Sequence, residues 1–340
     1  MTDGRNIALD GVRGLAALSV ALGHCLLMAT TAEVWEKTLF NFPAMTTEQI
    51  DERLLFVVFP SNAAVMVFFV LSGHVLWASF VRKRMTLTDF PDYLCSRVFR
   101  LLPLIIVSAI AFSFVVQPSG WELIANMLLL STSMNGVVWS LQVEMFASIV
   151  IFIAWILSRN ETLRLVAILF ALGALVPFFR GNSLVVFLPA FILGALIHHV
   201  PEWFWRSRAL LWAALAALLV PNIIFSFHGV TRVVEIVAAT VLIGCVAVQR
   251  PAFLRTPVVS FLGAVSYPFY LIHPLGVAAA VALVGPLLRS YFLLRFGVFA
   301  ALSIAIGLAL AWLLHVTVEM PALKFRPRLG RKPAGAPPTA

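Results

Sequence analysis

Long apolar runs recur along the whole chain, and they predict helices that cross a membrane. A run of about 20 residues is long enough to span the hydrocarbon core of a bilayer, which is about 30 Å thick. We therefore expect an all-α, polytopic bundle of about ten transmembrane helices. The predicted spans are residues 8–29, 54–80, 98–117, 138–158, 163–179, 183–200, 209–226, 231–249, 259–284 and 292–317.

The remaining segments complete the predicted domain organisation. The apolar stretch from Trp121 to Leu130 is too short to span the membrane, and it reads as an interfacial or re-entrant piece. Residues 1–325 are expected to form one transmembrane domain without internal repeats. Residues 326–340 form a basic tail rich in proline and glycine, and we expect this tail to be disordered.

The distribution of basic residues predicts how the bundle is oriented. With the N-terminus placed inside, 17 lysines and arginines fall in inner segments and 6 in outer segments. Cytoplasmic loops of membrane proteins carry such an excess. Both termini are therefore predicted to be cytoplasmic. The six outer residues are Lys37, Arg53, Arg180, Arg232, Arg289 and Arg295.

Composition agrees with a membrane protein and argues against other classes. The chain is 61% hydrophobic and 11% charged, whereas a soluble domain is about 25% charged. The net charge of +9 follows from the loops, so it does not predict a nucleic-acid partner. Cys25, Cys95 and Cys245 are scattered without ligand spacing, and no metal site is expected.

The first span carries two polar residues that helical geometry places on one face. Arg13 and His24 are eleven residues apart, so they share nearly the same azimuth and lie roughly 16 Å apart along the axis. A charged or titratable group inside a membrane span is expensive and marks a functional site by default. Asp10, three residues before Arg13, offers the alternative of a local helix partner.

Further polar motifs interrupt the apolar background in a fixed order after the first span. They are Phe68–His74, Ser96–Pro103, Trp139–Glu144, Leu262–Pro274 and Val318–Pro321. Together with the first span, these motifs resemble the acyltransferase-3 family of bacterial membrane O-acyltransferases from Leu9 to Pro321. One departure is His74, where the family more often has an aromatic or aliphatic residue.

This resemblance implies an enzyme of the cell inner membrane. The expected reaction transfers an acyl group, usually acetyl from acetyl-CoA, to a hydroxyl of a cell-surface glycan or related glycoconjugate. Acetyl-CoA is thus the expected co-substrate. The expected partners are acyl-CoA, a carbohydrate or glycolipid acceptor and membrane lipid.

Positions along the predicted spans suggest which residues carry the chemistry. Counted from the span ends, Glu144, Tyr270 and His273 reach a depth similar to that of His24. His24 is the candidate general base for the attacking hydroxyl, because a neutral imidazole suits that task near pH 7. Glu144 is the candidate that orients the imidazole. A structural ion pair between Glu144 and an arginine is the alternative.

The other candidates have binding or supporting roles. Arg13, Arg97 and Arg100 lie near the predicted inner face, where they would bind the phosphates of acetyl-CoA. Topology alone also explains Arg97 and Arg100. Trp139 offers a face for a sugar ring or the pantetheine arm, and Ser140 and Tyr270 are candidate donors to the oxyanion. Ser72, Tyr267 and His273 complete the supporting set, with close helix packing as the alternative at Ser72-Gly73 and helix cross-linking at Tyr270 and His273.

Two functions from other classes remain open at this level. A transporter of an anionic or sugar-linked compound would also hold arginine, histidine and glutamate within its spans, although the halves show no repeat symmetry. A membrane assembly protein without catalysis is the third hypothesis. Glu319 is expected to end the last span beside a basic partner, and His315 has no assigned role.

Overall fold

The computed structural model describes residues 6–30, 38–220, 224, 230–284, 292–325 and 327. Within these ranges the chain is helical and contains no β-strand. The all-α prediction is therefore confirmed. Apart from Pro327, the tail 326–340 lies outside the described residues, so its expected disorder and the domain boundary before it stay predictions.

The first part of the chain forms five helices. Asn6 caps the first of them, because its side chain accepts a hydrogen bond from the Ala8 amide. Thr46 and Gln49 form a capping box that begins the second. The five are α1 (Ile7–Ala29), α2 (Thr47–Val58), α3 (Ser61–Lys83), α4 (Phe90–Val116) and α5 (Gly120–Met127).

Eight further helices of five or more residues follow. They are α6 (Val138–Ser158), α7 (Thr162–Leu175), α8 (Leu188–Leu196), α9 (Arg208–Leu219), α10 (Val230–Gln249), α11 (Pro257–Val284), α12 (Phe292–Leu314) and α13 (Met320–Lys324). Single α-turns occupy Ser183–Val186 and Glu202–Trp205, and a π-helical turn at His315–Glu319 joins α12 to α13. Short 3₁₀ segments are Leu39–Ala44, Leu87–Asp89, Val176–Phe179, Ile197–His199 and Ala252–Arg255.

Eight helical stretches in the described ranges are long and apolar enough to cross a membrane, which makes this a multi-pass membrane protein. The sixth and seventh predicted spans correspond to shorter apolar stretches, Ser183–His199 and Arg208–Leu219. The count of ten spans and the cytoplasmic termini stay predictions. Inner and outer below refer to the faces predicted from the basic residues.

The connection between α5 and α6 enters the bundle as irregular backbone. Leu129, Met134 and Val137 are buried in this connection. The Asn135 side-chain amide donates to the Leu271 carbonyl at 2.9 Å and to Ser108 Oγ at 3.1 Å. Irregular backbone at membrane depth is tolerated when protein surrounds it. Because this loop reaches Leu271, α6 begins well inside the bundle and not at its outer surface.

Small residues allow two pairs of helices to approach closely. A Cβ on Gly14 of α1 would lie 2.5 Å from the Gly263 amide nitrogen of α11. A Cβ on Gly73 of α3 would lie 2.1 Å from the Phe191 carbonyl oxygen of α8. Small residues are the usual means of close helix packing in membranes. The geometry at Ser72-Gly73 thus favours the packing alternative for Gly73.

Candidate active site

His24 and His273 meet between α1 and α11. His24 Nδ1 lies 2.7 Å from His273 Nε2, and the two rings are nearly coplanar, with an angle of 12° between them. His273 is 1% exposed, whereas His24 is half-buried. The pair therefore has one enclosed member and one partly exposed member.

Pro274 explains how the second histidine of this pair is held. A proline has no backbone N–H, so Pro274 leaves the Tyr270 carbonyl, four residues earlier in α11, without its usual helical donor. His273 Nδ1 lies 2.8 Å from that carbonyl oxygen. The His-Pro sequence thus creates its own acceptor and holds the His273 ring in one orientation.

These two hydrogen bonds determine where the protons lie in the neutral pair. A carbonyl only accepts, so His273 Nδ1 carries the proton and His273 Nε2 is an acceptor. His24 Nδ1 must then donate to His273 Nε2, which leaves the lone pair on His24 Nε2. That nitrogen has the electronic form of a general base.

Replacing His273 with phenylalanine is expected to lower the rate of turnover at saturating substrate by about 10–100-fold. Losing the hydrogen-bond partner that orients a functional histidine has an effect of this size in metalloenzymes. Without His273, the His24 imidazole loses the bond that selects its tautomer. The Michaelis constant for the acyl donor should stay unchanged. Steady-state kinetics over a range of pH measure both effects, and a changed donor constant with an unchanged turnover rate would contradict the assignment.

Glu144 does not contact His24. Its Oε1 lies 2.5 Å from Arg97 Nη2, and Ser72 Oγ donates to the same oxygen at 3.3 Å. Arg97 Nε donates to Ser148 Oγ at 3.0 Å. The expected pairing of Glu144 with His24 is therefore absent, and the geometry favours the structural ion pair that was its alternative.

Glu144 and His24 do not meet because α6 begins deep in the bundle. Its first turn lies beside Leu271, close to the level of His273, because the loop before it enters the bundle. Glu144 is six residues further along and so lies roughly 9 Å closer to the inner face. The expectation that His24 and Glu144 share one depth assumed that α6 begins at the outer surface.

An open cavity of about 400 Å³ lies at the inner end of the bundle, a size typical of ligand sites. Lys83, Asp89 and Asp92 lie on the helix ends that surround its mouth. The cavity walls combine four cationic and three acidic side chains. The cations are Arg13, Lys83, Arg97 and Arg100, and the acids are Asp89, Asp92 and Glu144.

The basic residues in this cavity differ in the ion pairs that they already form. Arg97 pairs with Glu144 and donates a hydrogen bond to Ser148. Arg13 has a longer ion pair with Asp10, at 3.6 Å, so the predicted helix partner is present. Arg100 makes no hydrogen bond or ion pair with any residue in the described ranges. Arg13 and Arg100 are therefore the cations best placed to bind an anion in this cavity.

A second, narrower cavity continues from the first toward the histidine pair. Arg13, Ser72, Arg100 and Glu144 line both cavities, and the second one extends as far as Tyr270. The Tyr270 and His273 rings lie one helical turn apart, with centroids 6.0 Å apart. The two cavities thus share walls and together extend from the inner face as far as Tyr270, one helical turn before His273, and His24 lines neither of them.

Three supporting hydroxyls are engaged within the protein. Ser140 Oγ donates to the Val137 carbonyl at 2.9 Å, so Tyr270 donates its own proton to Ser140 Oγ at 2.8 Å. Tyr267 donates to the Leu101 carbonyl at 2.6 Å. Because these protons are already used, the arrangement gives Ser140 and Tyr270 a role in joining α6 to α11 and offers no spare donor for an oxyanion.

The structure also locates the residues without an assigned role. Glu319 Oε2 lies 2.7 Å from His315 Nδ1 across the π-helical turn, so its partner is a histidine. The His74 ring stacks on His198, with centroids 4.2 Å apart. Neither pair lines the inner cavity or the narrower one that continues from it.

Sequence reasoning missed two features of this site. Lys83 is one of the 17 inner basic residues, which the sequence explains by membrane orientation alone, yet it lines the inner cavity. Pro274 is the second feature, because a proline inside a helix leaves the carbonyl four residues earlier without its backbone donor. That signal was available from the sequence.

The structure is a multi-pass helix bundle with an arginine-lined cavity at one end and a histidine pair beyond it. The chain belongs to the acyltransferase-3 family, whose acyltransferase domain model matches residues 6–316. It is similar to the acyltransferase MdmB of Streptomyces mycarofaciens, with 27% identity covering 97% of this chain and 94% of that protein. No solved structure gives a significant match.

Proposed function

We propose that the protein is an integral O-acetyltransferase of the cell inner membrane, which moves an acetyl group from cytoplasmic acetyl-CoA to a hydroxyl of a cell-surface glycan or glycoconjugate. The observation that carries this proposal is the pair of cavities that extend from the inner face to Tyr270, one helical turn from the His24–His273 pair. The family supports an acyltransferase, and the two arginines that Glu144 does not pair with, Arg13 and Arg100, support a donor that carries phosphates.

The inner cavity suits the charged end of a CoA donor. The guanidinium groups of Arg13 and Arg100 would bind phosphate oxygens, because arginine presents several N–H donors in a planar fork. Arg13 and His24 are roughly 16 Å apart along α1, a distance comparable to an extended pantetheine arm. The thioester would then lie near His24 while the phosphates stay at the inner end.

His24 would act as general base and then as general acid. Its Nε2 takes the proton of the acceptor hydroxyl as that oxygen attacks the thioester carbonyl carbon. The new C–O bond forms, the C–S bond breaks, and the imidazolium returns the proton to the departing sulfur. His273 holds the His24 ring in the required tautomer throughout. No serine or cysteine nucleophile is needed, since the acceptor attacks directly.

Acetyl transfer across the membrane tests the proposal. In inside-out vesicles supplied with acetyl-CoA, we expect free CoA outside and acetylated glycan in the lumen. Acetylation found only on an acceptor added to the cytoplasmic side would contradict transfer across the membrane. Flux of a compound through proteoliposomes without covalent change would instead support the transporter hypothesis.

Replacing Arg13 or Arg100 with alanine is expected to weaken the binding of acetyl-CoA by about 10- to 150-fold, the effect of losing one charged hydrogen bond. Calorimetric titration of the purified protein measures the dissociation constant. Arg206 provides the matched control, since it is an exposed inner-loop arginine 3.4 Å from Glu202. Equal affinities for the Arg13→Ala, Arg100→Ala and Arg206→Ala proteins would exclude this donor site.

A further inference from the structure

A third cavity, of about 130 Å³, lies on the outer side of the bundle, beside the first turns of α3, α6 and α10. Asn62 and Trp139 line it from the first turns of α3 and α6, which run inward from here in the predicted orientation. Thr231, Arg232 and Glu235 line it from α10. It is thus separate from the inner cavity, which opens at the opposite end of α3.

The walls of this outer cavity combine aromatic faces with mixed polar groups. The Trp139 and Phe187 rings have centroids 5.4 Å apart, and the Arg232 guanidinium lies over the Phe187 ring at 5.0 Å. Amide, hydroxyl, guanidinium and carboxylate groups line the same space, through Asn62, Thr231, Arg232 and Glu235. Together they offer both donors and acceptors beside an apolar surface.

This combination matches the surface of a sugar ring. A sugar ring has apolar C–H faces that pack on aromatic rings, and its hydroxyls both donate and accept hydrogen bonds. One guanidinium and one carboxylate nearly balance the charge of the cavity, which favours an uncharged ring over an anionic one.

The outer cavity lies close to the proposed catalytic histidine. Val65 lines both the outer cavity and the narrower one that reaches Tyr270. A Cβ on Gly23 would lie 2.8 Å from Ser61 Cβ in the first turn of α3, and Gly23 adjoins His24. The first turn of α3 therefore contacts α1 beside His24, and Val65, one turn further on, forms a wall that the outer cavity shares with the narrower one.

We propose that the outer cavity is the binding site for the acceptor and that it takes one uncharged sugar ring. This inference rests on the proposed function and adds to it the place and chemical class of the acceptor. Trp139 and Phe187 pack against the ring, and Arg232 and Asn62 bind its hydroxyls. The hydroxyl that is acetylated points from the ring past Val65 toward His24.

Photo-crosslinking tests this site directly. The probe is a methyl hexoside that carries a diazirine, applied to the purified protein in nanodiscs, and labelled peptides are mapped by mass spectrometry. We expect labelling around Asn62, Trp139 and Arg232, with competition by unlabelled methyl hexoside and weaker competition by methyl hexuronide. Labelling that is absent from these peptides, or that the hexoside does not compete, would overturn the site.

Matched substitutions separate this site from the rest of the mechanism. Arg232→Leu and Trp139→Ala are each expected to raise the hexoside concentration for half-maximal labelling by about 10-fold or more. The controls are Arg180→Leu and Trp121→Ala, which change an exposed arginine and an exposed tryptophan outside this cavity. Unchanged acetyl-CoA binding verifies that each variant folds, and Arg232→Lys replaces Arg232→Leu if the latter does not.

The result also distinguishes failure of the site from failure of the proposed function. If the wild-type protein transfers acetyl groups but Arg232 and Trp139 variants label and react like their controls, the outer cavity is not the acceptor site. If the wild-type protein is labelled in the cavity but releases no CoA from acetyl-CoA, the cavity binds a sugar and the proposed reaction is wrong.

Discussion

Replacing His24 with alanine is expected to lower acyl transfer by at least about 10²–10⁴-fold, the usual contribution of general acid–base catalysis. The loss arises because His24 Nε2 carries the free lone pair of the His24–His273 pair. Acetyl-CoA binding should be unchanged, since the proposed site for the donor phosphates lies at the other end of α1. Product formation by purified variant and wild-type protein, with calorimetry for the donor, measures both quantities.

His199 provides a matched control for this experiment. His199 lies at the end of the Ile197–His199 turn, bonds to Thr162 Oγ1 and lines none of the three cavities described above. His199→Ala should therefore retain wild-type activity. A His24→Ala protein with activity within threefold of wild type would remove His24 from the mechanism.

Breaking the Arg97–Glu144 pair is expected to reduce the stability of the fold by about 3–5 kcal/mol, the cost of leaving one buried charge without its partner. Arg97 is almost fully buried, and its hydrogen bonds to Glu144 and Ser148 join α4 to α6. Arg97→Met or Glu144→Leu should each lower the midpoint of thermal unfolding in detergent. The double variant should recover most of the loss, because similar-sized apolar residues replace a buried ion pair at little cost.

An exposed ion pair in the same protein provides the comparison. Glu161 and Arg164 are about half exposed and 2.9 Å apart. Such pairs contribute about 0–1 kcal/mol, so Glu161→Ala should hardly change the midpoint. If single changes at Arg97 and Glu144 behave like Glu161→Ala, the pair has no structural role and Glu144 is free to act in catalysis.

The sequence predicts the helices well because a membrane imposes strong rules on it. Apolar length defines a span, and unpaired backbone is not tolerated in lipid. The face shared by Arg13 and His24 follows from helical geometry alone. For the same reason the apolar stretch from Trp121 to Leu130 is predicted to be too short to span the membrane, and the structure has the eight-residue helix Gly120–Met127 there.

Depth was harder to predict, and the error at Glu144 shows why. Ser131, Ser133 and Asn135 precede α6 and look like a surface loop in the sequence. Their segment instead enters the bundle, where Asn135 satisfies the Leu271 carbonyl. Hydropathy records polarity but not the long-range partner that allows a polar loop to be buried. Every residue of α6 therefore lies closer to the inner face than the sequence predicts.

The roles of Arg97 and Arg100 could not be separated from the sequence either. They are three residues apart on α4, and both satisfy the rule for inner basic residues. The packing of α6 against α4 distinguishes them, because Glu144 forms its ion pair with Arg97. Arg100 lines the cavity and has no ion pair within the described part of the chain.

The His24–His273 contact joins residues that are 249 positions apart in the chain, and this has a consequence for biogenesis. During synthesis, α1 enters the membrane long before α11 is translated. Until then His24 has no partner to select its tautomer, and the close contact of Gly14 with Gly263 cannot form. A nascent chain arrested before residue 257 therefore lacks the assembled histidine pair, so the proposed catalytic pair is complete only when α11 inserts beside α1.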